Sequence, residues 1–100
     1  MPATISTSGN IARVNLAGEF DYSTQENLNG VFDKALHSPA SEICIDMQKT
    51  LFIDSSIIRM LLKLHDTSRR SKKSLTLVNC SARIMEILTI GGFDQILDIR

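Results

Sequence analysis

The hydrophobic period of this chain switches repeatedly between two residues and about three and a half, which limits it to strands interleaved with amphipathic helices. Residues 11 to 17, IARVNLA, alternate apolar with polar, the period of a half-exposed strand. Further on, Leu28, Val31, Phe32, Ala35 and Leu36 fall at i, i+3, i+4, i+7 and i+8, one apolar face of a helix laid on something flat. EICIDMQ (42–48) reads as a buried strand, and TLFI (50–53) is a second apolar run close behind. A helix beginning at Asp54 or Ser55 and running to about Arg70 carries Ile57, Ile58, Leu61, Leu62 and Leu64 on a broad face. SLTLVNC (74–80) is another strand, and Ile84, Ile87 and Leu88 mark a third helix.

Turn and cap residues punctuate these segments. SGN (8–10) predicts a hairpin turn from a short first strand near Ala3 to Thr7, and GEFDYST (18–24) breaks the next strand. Ser23 with Glu26 three residues on has capping-box spacing, which predicts a first helix from about Thr24. Pro39 ends that helix, because the residue before a proline is forced toward an extended backbone. The cations of SRRSKK (68–73) suit the negative end of the second helix dipole. Ser81 can cap the third helix, Gly91-Gly92 stops it, and Phe93 to Ile99 add a last strand or turn. Strands alternating with helices imply parallel pairing, and the opening hairpin makes the sheet mixed. The expected fold is α/β: a single domain over residues 1–100, one small mixed sheet with amphipathic helices packed against it.

Charge and cysteine usage exclude several functions. Eleven basic residues cancel eleven acidic ones, so no overall field attracts nucleic acid or an anionic membrane. The basic run Arg69, Arg70, Lys72 and Lys73 has no interleaved aromatic residue and reads as a solvated helix end. Cys44 and Cys80 stand far apart in apolar segments, which predicts two buried thiols in a reducing compartment rather than a metal site. MPATISTSGN lacks the basic and apolar regions of a signal peptide, and no apolar run is long enough to span a bilayer. A cytoplasmic protein is expected.

The tripeptide Asp54-Ser55-Ser56 is where chemistry and architecture compete. Asp and Ser are preferred N-caps, so a purely structural role is available to all three. The functional alternative rests on position, since sites in α/β sheets gather where strands end and helices begin. A hydroxyl there is exposed, and a phosphate on it would face free backbone N–H groups and the positive end of a helix dipole. Nucleophilic catalysis needs a base within hydrogen-bond reach. His37 lies beside a turn, and His65, ten positions down the same helix from Ser55, is roughly 15 Å away by helical rise. No glycine elbow surrounds the serines. Gly91-Gly92 lacks the Gly-Lys-Ser/Thr ending of a phosphate loop, so neither an enzyme nor a bound cofactor is expected.

Three segments in order and spacing resemble the STAS domain, and within it the stand-alone anti-sigma factor antagonists of bacterial partner-switching systems. AGEFDYSTQENL (17–28) is similar to the family's strand, Gly-Glu-Leu-Asp turn and first helix. CIDMQKTLFIDSSII (44–58) is similar to its central strand and Asp-Ser-Ser motif, and LTLVNCSARIMEILTIGGFDQIL (75–97) to its fourth strand and third helix. The resemblance implies that the serine after the Asp, here Ser55 with Ser56 as the alternative, is phosphorylated by a partner kinase. That HPK-like serine kinase often doubles as the anti-sigma factor, and a PP2C-type phosphatase removes the phosphate. It also implies a partner-facing region comprising Asp21 in the turn before the first helix, together with Asp54, Ser56, Ile57, Ile58 and Arg59. The family usually continues Asp-Ser-Ser with Gly, an aliphatic residue and Gly, where this chain has Ile57, Ile58 and Arg59. These bulkier residues are expected to alter the surface beside the site and to select a specific partner, and Arg59, one turn after Ser55, can pair with a phosphate. The sequence stops at Arg100, before the last helix that many relatives carry, so contacts through that helix are not expected. The expected function is a non-catalytic phosphorylatable switch. The rival readings are a STAS scaffold or ligand-sensing module that is never phosphorylated, and a small hydrolase using Ser55.

Overall fold

The segments with a strand or helix period take those forms in the structure, a computed structural model that describes residues 2–100. Strands β1 (Ala3–Ser8) and β2 (Ile11–Leu16) form the opening antiparallel hairpin. A short strand β3 (Gly18–Phe20) and a 3-10 turn (Tyr22–Thr24) lead into helix α1 (Gln25–His37). Then come β4 (Glu42–Asp46), β5 (Thr50–Ile53), α2 (Ser55–Arg70), β6 (Ser74–Val78), α3 (Ala82–Ile90), a second 3-10 turn (Phe93–Gln95) and β7 (Asp98–Ile99). The fold is a mixed α/β domain with three helices, as the alternating periods require.

The strands do not make one sheet. A five-stranded sheet runs β1-β2-β4-β6-β7, parallel except for the first pair, while β3 and β5 form a separate two-stranded parallel sheet. The sequence reading broke the chain at GEF and took TLFI as an unplaced apolar run. Three or four residues carry too little period to announce a strand, and only their mutual pairing makes them one. Gly18 enters this pair with φ +99, a conformation that favours glycine. The buried Thr50 hydroxyl then donates to the Leu16 carbonyl at 2.7 Å, tying the small sheet to β2.

Burial alternates along the central strands. Ala12, Val14, Ile43, Ile45, Leu75 and Leu77 are buried, while Arg13, Cys44 and Thr76, in register across β2, β4 and β6, face the other side. Helix α1 packs on β1 and β2 and α2 on β6, so these two helices cover one face of the large sheet, while α3 packs on β5. EICID is therefore half-exposed rather than a fully buried strand. Cys44 and Cys80 are accordingly half-buried free thiols, and burial pushes both up from their ordinary value of 9.0.

One cap assignment changes. Asp21, not Ser23, begins the turn before α1: its carboxylate accepts from the Ser23 N–H at 2.9 Å, and Thr24 Oγ1 accepts from the Asp21 N–H at 3.0 Å. The capping box thus sits on the 3-10 turn, two residues earlier than Ser23 and Glu26 suggest. The basic run is also not uniformly solvated. Lys73 Nζ donates to the carbonyls of Ser38 and Ala40 and so ties the end of α2 to the end of α1. Arg70 pairs with Asp66 one turn back at 2.7 Å.

Among the described residues, one buried side-chain polar group is unsatisfied. Ser68 on α2 is 0% exposed and its hydroxyl has no hydrogen-bond partner. Removing a buried polar atom of this kind relieves a desolvation penalty. Ser68→Ala should stabilise the protein by about 1 kcal/mol, read as a higher urea midpoint with an unchanged slope. A lower midpoint would mean that the hydroxyl has a partner after all.

Candidate functional site

The β5–α2 junction is built by Asp54. Its backbone is extended (φ −98, ψ 179) and its carboxylate caps the helix, accepting from the Ile57 N–H at 3.1 Å. The same oxygen accepts from the Ser56 hydroxyl at 2.6 Å. Asp54 N–H donates to the Phe20 carbonyl at 3.2 Å, so the two-stranded sheet brings the Asp21 turn against the start of α2. The Ser56 hydroxyl is the main cause holding the Asp54 carboxyl below its ordinary 3.8, helped by the N–H groups of Ile57, Ser56 and Tyr22 against the opposing effect of burial.

The two serines are thereby separated. Ser56 is half-buried and its hydroxyl is committed to Asp54. Ser55 is the first residue of α2, exposed, and its hydroxyl makes no hydrogen bond among the described residues. Capping is done by Asp54, which leaves Ser55 free of structural duty.

Asp21, Asp54, Ser55, Ser56 and Arg59 lie along one edge of the molecule, where the α1 entry turn meets the α2 N-terminus. Ile57 and Ile58 do not belong to that surface. They are 0% and 6% exposed and sit in the core, so the expectation that they contact a partner is corrected. The third and fourth residues of α2 face the interior, and an isoleucine there fills the core instead of altering the surface. Arg59 is the residue of the three that reaches solvent. Tyr22, 77% exposed in the turn beside Asp54, was missed. An aromatic residue among turn and cap formers (Asp21, Ser23, Thr24) is the signal that could have found it, because connecting turns run over the surface. A shallow groove of about 190 Å³ between α1 and α2 is lined by Gln25, Ser56, Arg59, Met60 and Lys63. Among the described residues no group of three or more His, Cys, Asp or Glu could hold a metal ion, and no helix is long and apolar enough to cross a membrane.

The cap predicts an acid dependence. The folded Asp54 carboxyl ionises at lower pH than the unfolded one, so its contribution is fully present at neutral pH. It is lost as pH falls below 3.8 and through the depressed folded value. Asp54→Ala should cost about 1 kcal/mol at pH 7 and make the stability curve flatter below pH ~4, measured by urea unfolding across pH. Equal slopes for both proteins would remove Asp54 from the acid transition.

Comparison with known proteins settles the family. The model described as "Mlab, STAS domain" matches residues 3–98. The chain belongs to the STAS domain family. A STAS-domain containing protein of Pseudomonas aeruginosa (strain UCBPP-PA14) is 27% identical over 94 residues, covering 94% of this chain and 92% of that one. An anti-sigma factor antagonist from Mycobacterium paratuberculosis superposes with a TM-score of 0.86 at 14% identity, over 97% of this chain and 82% of the other. The Bacillus cell fate determinant SpoIIAA, solved in the phosphorylated form, superposes with a TM-score of 0.75 at 16% identity, over 98% and 90%. At such identities the superpositions establish a shared STAS fold.

Proposed function

We propose that this STAS domain, residues 1–100, is a phosphorylatable switch of the anti-sigma factor antagonist type, acting in the cytoplasm without catalysis of its own. Unphosphorylated, it binds an anti-sigma factor that is also an HPK-like serine kinase. Phosphorylation of Ser55 releases that partner, and a PP2C-type phosphatase restores binding. The observation that carries this reading is the division of labour at the α2 N-terminus. Asp54 caps the helix and engages Ser56, so Ser55 alone offers a free, exposed hydroxyl. A structural relative solved in a phosphorylated form supports it. The contact surface is Asp21, Tyr22, Asp54, Ser55 and Arg59, with Ser56 beneath.

Incubated with its cognate kinase and Mg-ATP, the protein should gain one phosphate, located on Ser55 by mass spectrometry. Ser56→Ala should remain a substrate and Ser55→Ala should not. Full phosphorylation of Ser55→Ala with none on Ser56→Ala would move the site by one residue. Normal phosphorylation of both would end the Asp-Ser-Ser switch, and a constitutive, never-phosphorylated subunit of a larger assembly would point to a scaffold instead.

A further inference from the structure

Arg59 differs from most of the other arginines. Arg13, Arg70 and Arg100 are each paired with a carboxylate, whereas the Arg59 guanidinium is exposed and makes no ion pair or hydrogen bond among the described residues. It lies four residues after Ser55 on the same face of α2. Side chains on a helix lean toward its N-terminus, so Arg59 covers the turn that Ser55 begins. An anion at i with a cation at i+4 is the favourable order for such a pair. The groove that Arg59 lines with Gln25, Ser56, Met60 and Lys63 leaves open space beside it for phosphoryl oxygens.

We propose that Arg59 is an internal clamp for a phosphate on Ser55, gripping two phosphoryl oxygens with its planar guanidinium. This rests on the reading of Ser55 as the modified residue and adds a regulatory consequence. The phosphorylated state is held against its own helix, and a phosphatase must displace Arg59 before it reaches the phosphorus. Asp54 and Asp21 are the carboxylates at this edge, and both are committed to capping bonds. Their like charge turns the phosphate toward Arg59. Lys63, eight residues from Ser55, is about 12 Å along the axis and too far to share the grip.

The test installs phosphoserine at residue 55 during translation and follows it by phosphorus NMR through its second ionisation, ordinarily near pH ~6. In the folded protein that ionisation should occur at lower pH than in the same protein unfolded in urea. Arg59→Gln should abolish most of the difference, Arg59→Lys should keep part of it, and Lys63→Gln should leave it intact. Dephosphorylation by a PP2C-type phosphatase should be several-fold faster for Arg59→Gln. A titration unchanged by Arg59→Gln would overturn the clamp. Because the phosphate is installed rather than added by a kinase, that outcome would say nothing against Ser55 as the modified residue. A Ser55 never phosphorylated by the kinase would sink the modification while the titration still reported on Arg59.

Discussion

Phosphorylation of Ser55 is expected to weaken binding to the anti-sigma-type partner by more than ~100-fold, which corresponds to roughly 3 kcal/mol. A phosphoserine adds about 1.5 to 2 negative charges at neutral pH, and a surface shaped for a neutral hydroxyl must desolvate them. The Ser55 hydroxyl makes no hydrogen bond among the described residues, so Ser55→Ala should fold normally, within about 0.5 kcal/mol of wild type, and bind constitutively. Ser55→Asp places one charge rather than nearly two beside Asp54, and should lose affinity to a smaller degree. Titration calorimetry of the four proteins (wild type, phosphorylated, Ser55→Ala, Ser55→Asp) against the purified partner measures the order directly. Equal affinity of the phosphorylated and unphosphorylated forms would sink the switch even if the phosphate were found on Ser55.

Phe20→Ala should have the largest effect on stability. Phe20 is 0% exposed at the end of β3, and truncating a buried phenylalanine costs about 3 to 5 kcal/mol. For a domain of this size, each kcal/mol lowers the melting temperature by about 4 to 8 °C, so a fall of more than ~12 °C is expected. The loss also reaches the site, because the Phe20 carbonyl holds the Asp54 N–H and the turn at Tyr22 rests beside it. Phe20→Leu keeps most of the buried surface and should preserve both stability and Ser55 phosphorylation. The exposed neighbour Tyr22 provides the contrast, since Tyr22→Ala should change stability by about 0.5 kcal/mol or less. If Phe20→Ala cost under ~1 kcal/mol, the two-stranded sheet would not be docked as described.

The sequence by itself determined the α/β class and the extents of the long elements. A helix of sixteen residues, such as α2, repeats its apolar period often enough to be unambiguous, and β2, β4 and β6 alternate or run apolar between clear turn signals. The Asp-Ser-Ser junction was legible for the same local reason, because a cap former must precede a helix. What only the tertiary structure decided was everything that depends on partners far along the chain. β3 exists because β5 pairs with it, and the Asp21 turn meets Asp54 because that pairing carries it there. The apolar period had already put Ile57 and Ile58 on the inner face of α2, and their burial removes them from the partner surface that the resemblance implied, leaving Arg59 at the surface. Ser55 and Ser56, adjacent and alike in sequence, were told apart by one hydrogen bond to Asp54, and a bond between side chains is fixed by rotamers that no local period encodes.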